Sequence, residues 1–359
     1  MRHPRVDEYA RLLVGRCVGV QPGWEVLVRA TPLARPLVEA VMEEIARRGA
    51  EPILQLAFEL IGGPVAREAP LDRLREASPL QRTLWAECDA IITVYSPEST
   101  REGADLSDER RQALEQRLRP LRARTMAMEV PWVICEYPVQ SLAQDAGMTL
   151  PQFSEVLYGA VLVDWDELRT RMQRITDRFD AASEVRIVGA GTDLVLSLEG
   201  RKGEVDALGA NMPGGEFFFS PVEDSAQGVI EFSEYPACYG GHTVEGVRLR
   251  FEGGKVVDAS AKVDEEFLLA MLDVDEGARR IGELGVGCNP GIQQHMRNTL
   301  FDEKIEGTAH IAIGFGFDFI GGKNVSAIHW DMVKDLRRGG RLELDGVVVQ
   351  ENGRWLVDG

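Results

Sequence analysis

Near residues 180–187 the sequence changes its periodicity, and that change sets what the chain can fold into. Upstream, short apolar runs alternate with amphipathic segments. EVLVRA (25–30), PILQLA (52–57), AIITVYS (90–96) and PWVICEY (131–137) read as strands. ARPLVEAVMEEIARRG, stopped by Gly49, and a charged stretch near 107–119 read as helices between them. Strands alternating with helices imply parallel pairing through right-handed crossovers, which is an open α/β sheet. A helical stretch, VLYGAVLVDWDELRTRMQRITDRFDAAS, closes this half at Ser183. Downstream come short strands separated by Gly and Asn/Asp turns, from VRIVG to GRLELDGVVVQENGRW. That texture predicts an antiparallel, β-rich α+β domain with at least one helix, at DEEFLLAMLDVDEGARRIGE. The expected organisation is therefore an α/β domain over 1–183 and a β-rich domain over 184–359.

Dinucleotide binding is not expected, because no GxGxxG follows the first strand. GAGTDL (189–194) has the glycines but runs into the strand DLVLSLEG, so it reads as a hairpin turn. The formal charge of −18 repels nucleic acid and anionic membranes, and no run of 18 apolar residues suggests a membrane span. The charged N-terminus lacks the apolar centre of a signal peptide, and five scattered cysteines show no CxxC spacing. Reduced thiols in a cytoplasmic protein are the expectation.

Chemistry concentrates in HIAIGFGFDFIGGKNVSAIHWD, residues 310–331, which holds two of the five histidines. Side chains two apart on a strand share a face. Ile328, Trp330 and Met332 thus form an apolar face, with His329 and Asp331 on the other. In TAHIAIGFGF, Ala309, Ile311, Ile313 and Phe315 are the apolar set, and His310 projects oppositely beside Ala312 and Gly314. Two imidazoles and a carboxylate leaving polar strand faces are ligands for a divalent metal.

Three glutamates are weaker candidates. Glu283 reads as the last turn of a helix, where a carboxylate is disfavoured by about 0.3–1 kcal/mol unless a cation compensates. Glu216, in NMPGGEFFFSP, lies beside so much apolar surface that it must be paired, protonated, liganded or turned to solvent. Glu303 sits in LFDEKIEGTAH among several acids expected to be solvated. His3, His242 and His295 show no ligand-like spacing, and no GxSxG motif is present. No cysteine has a convincing partner histidine, so a Ser or Cys nucleophile is poorly supported.

Taken together, several segments resemble the thermophilic-type metallo-aminopeptidases, the family of aminopeptidases T and S. They include YARLLVGRCVGVQPGWEVLV, NMPGGEFFFSPVEDSAQGVIEF, LDVDEGARRIGELGVGCNPGI, TLFDEKIEGTAHIAIG and GGKNVSAIHWD. The resemblance implies that Glu216, Glu283, Glu303, His310, His329 and Asp331 ligate two divalent ions, zinc, cobalt or manganese. It further implies Glu283 as the bridging ligand, with Glu216 or Glu303 moving the proton. Peptides with a free N-terminus are the implied substrates, and a homodimer the implied assembly. Phe317 stands where better-known members carry a tyrosine, and the segment from His310 to His329 is shorter than theirs. A related branch, the 2,5-dihydroxypyridine dioxygenases, uses one iron and a His/His/Asp set. A non-catalytic, metal-stabilised protein is the third alternative.

Overall fold

The computed structural model describes residues 3–59 and 63–356. Two compact units emerge, one comprising residues up to Leu162 with Leu208–Pro213, the other Val163–Ala207 with Gly214 onward.

The first unit is built on a five-stranded sheet in the order Glu51–Leu56, Glu25–Ala30, Ala90–Tyr95, Trp132–Glu136 and Asn211–Met212, with every neighbouring pair parallel. Val26, Leu27, Val28 and Ala30 are all buried, as expected of a strand covered on both faces. The helix Arg35–Arg47 buries Leu37, Val38, Val41 and Ile45 at helical spacing. It ends before Gly49, whose φ of +76° suits the left-handed turn. The charged helix extends to Met126 and carries Pro120 in its interior. Among the described residues, no helix is long and apolar enough to cross a membrane.

The second unit starts before the change in texture, because the helix Trp165–Asp180 groups with it. Phe179 on that helix packs edge-on against Phe217, at 5.1 Å between ring centroids. The unit contains an eight-stranded antiparallel sheet and a five-stranded antiparallel sheet. GAGTDL is the hairpin turn read from sequence, joining Glu184–Gly189 to Thr192–Ser197. The five-stranded sheet orders His329–Asp335, Thr308–Gly314, Ile281–Gly287, Glu216–Phe219 and Glu204–Asp206.

One expectation fails here. The helix read across DEEFLLAMLDVDEGARRIGE stops at Leu272, and Glu283 lies on the strand Ile281–Gly287. Asp275 is the reason. Its carboxylate accepts the N–H groups of Gly277 and Ala278, both at 2.9 Å, and of Ala327 at 2.7 Å. Those bonds offer the backbone a turn in place of the next helical turn. Gly282 then fits only without a side chain, since a Cβ there would lie 2.0 Å from the Phe315 carbonyl oxygen. The helix-end argument about Glu283 therefore does not apply.

Candidate metal centre

All six sequence-predicted residues converge on one region of the five-stranded sheet and the turn before it. Strand pairing sets the order. Glu216 stands opposite Gly287, Glu283 opposite Ala312, His310 opposite Gly285, Asp331 opposite Ala312 and His329 opposite Gly314. Small residues thus alternate with ligand-type residues across neighbouring strands. The reason is steric: a Cβ on Gly285 would lie 2.0 Å from the His310 ring. Gly314 has φ +100°, and a side chain there would meet the Ile328 carbonyl at 2.2 Å. The other face is apolar as expected, with Ile328, Trp330 and Met332 buried.

At the centre, Glu283 lies between the two histidines. Its Oε1 is 3.4 Å from His310 Nε2 and its Oε2 is 3.0 Å from His329 Nε2. His310 Nε2 also lies 3.4 Å from Glu216 Oε2, and His329 Nε2 lies 3.7 Å from Asp331 Oδ1. His329 donates from Nδ1 to the Phe315 carbonyl oxygen at 2.8 Å, which aims Nε2 at the carboxylates. Glu303 follows the short helix Thr299–Asp302 and reaches the same cluster.

Three overlapping sets bring potential ligand atoms within 4.8 Å of one another: Glu216, Glu283 and His310; Glu283, His329 and Asp331; Glu303, His310 and Asp331. The donors fit a divalent cation chemically, being imidazole and carboxylate. They fit it structurally too, because Glu216 Oε2 and Asp331 Oδ1 are buried without a hydrogen-bond partner. Such atoms are costly unless something compensates them.

The electrostatics without a cation show the strain of this arrangement. Burial pushes the Glu216 carboxyl up to about 8, against the pull of Lys304. Burial also lifts Asp331, to about 6, although His329 opposes it. Burial would lower His310 and His329, but hydrogen bonds and charge from Glu283 and neighbouring acids hold them at about 9 and 10. Without a cation, protons on the imidazoles are the charge available to balance these carboxylates, and a bound cation would displace them.

Sequence reasoning missed Lys304. Its side chain is completely buried, with Nζ 3.0 Å from Glu216 Oε1 and 4.0 Å from Asp206 Oδ2, and it donates to Glu303 Oε1. The acids of LFDEK, expected to be solvated, are not: Asp302 is buried and accepts the N–H groups of Met296 and Asn298. The only available signal was the adjacency of Lys304 to a candidate ligand. Replacing Lys304 by Met should lower the stability of chelated protein by about 3 kcal/mol, because a buried pair broken on one side leaves uncompensated charge. Bound cations should reduce that loss. Urea unfolding of both forms checks it; equal losses would mean that Lys304 is not coupled to the cation sites.

With this geometry in view, comparison with known proteins is decisive. The chain matches the thermophilic metalloprotease (M29) family over residues 2–355. It belongs to that family. Aminopeptidase 2 of Geobacillus stearothermophilus is 26% identical over 350 residues, covering 86% of this chain and 83% of the relative. Aminopeptidase T of Thermus aquaticus is 35% identical over 201 residues, covering 47% and 48% of the two chains. Among solved structures, wild-type AmpT from Thermus thermophilus superimposes with a TM-score of 0.85 at 24% identity, over 98% of this chain and 99% of that one. The 2,5-dihydroxypyridine dioxygenase of Pseudomonas putida KT2440 shares the fold at a TM-score of 0.64 and 18% identity, over 98% of this chain and 97% of that one. This M29 chain is therefore a metalloprotease, and it has the α/β plus antiparallel β architecture expected from its sequence.

Proposed function

We propose that this metalloprotease is an aminopeptidase that releases the N-terminal residue of peptides through two divalent ions. Glu216, Glu283, Glu303, His310, His329 and Asp331 would hold them. The observation that carries this reading is the sharing of Glu283 between a set with Glu216 and His310 and a set with His329 and Asp331. Glu283, with one oxygen toward each histidine, would be the ligand common to both ions. Charge supports the same count. Glu216, Glu283, Glu303, Asp331 and Asp206 set against Lys304 leave four negative charges, the complement of two divalent ions. The relatives named aminopeptidases support the preference for a free N-terminus.

Divalent ions in such a centre polarise a scissile carbonyl and lower the pKa of a bound water. The chain's own residues supply the rest. Glu283 fixes the separation of the two ligand sets, and His329 is held in its tautomer by the Phe315 carbonyl. Glu216 or Glu303, each paired with Lys304, would take up a proton and return it to the leaving amine. Phe317 has no hydroxyl, so its ring, 5.1 Å from that of His329, shields the imidazole and donates nothing. Zinc, cobalt or manganese suits this donor set. A homodimer in the cytoplasm completes the proposal; the five cysteines form no disulfide, which fits a reducing compartment.

Exhaustive chelation should abolish hydrolysis of a short peptide with a free amino terminus, and Zn²⁺, Co²⁺ or Mn²⁺ should restore it. Elemental analysis should return two ions per chain. Full activity of metal-free protein, or equal cleavage of the N-acetylated peptide, would overturn the reading.

A further inference from the structure

Phe217, Phe219, Phe232, Phe251 and Phe301 are fully buried, the ordinary fate of phenylalanine. Beside the ligand cluster the chain does otherwise. Phe218 and Phe317 are only half-buried, and Phe319 is 69% exposed. The three rings touch one another, with centroids 5.6 Å apart for Phe218 and Phe317, 5.6 Å for Phe317 and Phe319, and 6.3 Å for Phe218 and Phe319. Their position follows from the strand period. Phe218 lies two residues after Glu216, opposite Gly285, and so leaves the sheet on the ligand face. Hydrogen bonds fix Phe317. The Phe317 N–H donates to Ser220 Oγ at 3.0 Å, and the Gly322 N–H to the Phe317 carbonyl at 2.8 Å. Burial does not hold Phe319 where it is; the turn Asp318–Ile320 does.

We infer that Phe218, Phe317 and Phe319 form the surface on which the side chain of the substrate's N-terminal residue rests, which makes this enzyme selective for large apolar residues. The inference builds on the aminopeptidase reading. A carbonyl brought to the ligand cluster carries its own residue's side chain one carbon away, and on the His329 flank that side chain meets these rings. The flank at Lys304 is closed, since that ammonium is entirely buried. A leucine or phenylalanine side chain on the rings loses water contact favourably. A glycine or alanine leaves them bare, and a glutamate gives up its hydration for no donor among them.

The experiment is a comparison of kcat/KM for Gly, Ala, Leu, Phe and Glu amides with metal-loaded enzyme. One additional apolar carbon in a hydrophobic site changes kcat/KM by about 10–200-fold, so Leu and Phe should exceed Ala by at least about 10-fold. Phe218→Ala and Phe319→Ser should each move the Leu-to-Ala ratio toward one, at wild-type metal content. Phe319 is exposed, so its replacement does not endanger folding. Equal kcat/KM across the series, or an unchanged ratio in both variants, overturns the assignment while the peptidase reading stands. Absence of hydrolysis with every amide would instead defeat the peptidase reading. Calorimetry with L-leucine hydroxamate and glycine hydroxamate then decides the role of the rings. Tighter binding of the leucine compound, lost in Phe319→Ser, supports them as an apolar subsite, and equal binding of the two compounds overturns it.

Discussion

Replacing Glu283 by Gln should lower the metal content from two ions per chain toward one or none, and peptidase activity should fall by more than about 100-fold. Loss of an outer-shell partner of a metal ligand costs about 10–100-fold, so a residue shared by both ligand sets sets a higher expectation. The change preserves size and one acceptor oxygen, which separates charge from packing. Two divalent ions a few ångströms apart repel strongly unless an anion lies between them. Glutamine is neutral and cannot play that part. Elemental analysis and a peptide-hydrolysis assay on the same preparation give the answer. One iron per chain, unchanged in Glu283→Gln and accompanied by oxygen consumption on a dihydroxypyridine, would defeat the hydrolytic reading in favour of ring cleavage by the His310, His329 and Asp331 set.

A second large effect separates the two faces of one strand. Trp330 is 1% exposed, stacked on Tyr239 at 5.4 Å and edge-on to Phe267 at 5.8 Å. Trp330→Ala should destabilise the protein by about 3–5 kcal/mol, the cost of deleting a large buried ring and leaving its cavity. His329→Ala and Asp331→Ala should instead abolish activity while leaving the fold largely intact, since neither side chain packs that core; the Glu283 charge uncovered by His329→Ala should cost less than the Trp330 cavity. Denaturant unfolding of the three variants, with activity measured alongside, distinguishes the faces. Equal destabilisation by all three would show that the ligand face also carries the fold.

The parts of this molecule legible in its sequence are those governed by local periodicity. Alternation placed His310 on the polar face of one strand and His329 with Asp331 on that of another, because a strand's two-residue repeat is independent of its neighbours. The parallel sheet was legible because near-continuous apolar runs such as EVLVRA, between amphipathic helices, admit few other arrangements. Glu283 was misread for a tertiary reason. The segment keeps apolar residues at helical spacing, and a carboxylate turn at Asp275, tied to the distant Ala327, ends the helix early. Lys304 was hidden for a related reason. A lysine among acids reads as solvated surface, and its burial exists only because Asp206 and Glu216 arrive from other strands. Phe218 was open to the same two-residue alternation, which sets it on the face of Glu216, but that EFFF forms a strand beside the ligand cluster emerges only from its pairing with Ile281–Gly287.

The alternation of site and core along the strands also governs how such a protein can diverge. Inserting or deleting one residue within a strand such as His329–Asp335 would rotate every later side chain to the opposite face, turning Trp330 toward the candidate ligand cluster and Asp331 into the apolar layer. No single compensating substitution repairs that exchange. The connection from Phe315 to Ile328 carries no such constraint, because both flanking strands are pinned by their own registers. Heritable length variation near the site is therefore channelled into that connection. Under the proposed function, changes there could alter selectivity through residues such as Phe317 and Phe319, while the six candidate ligand residues keep their registers.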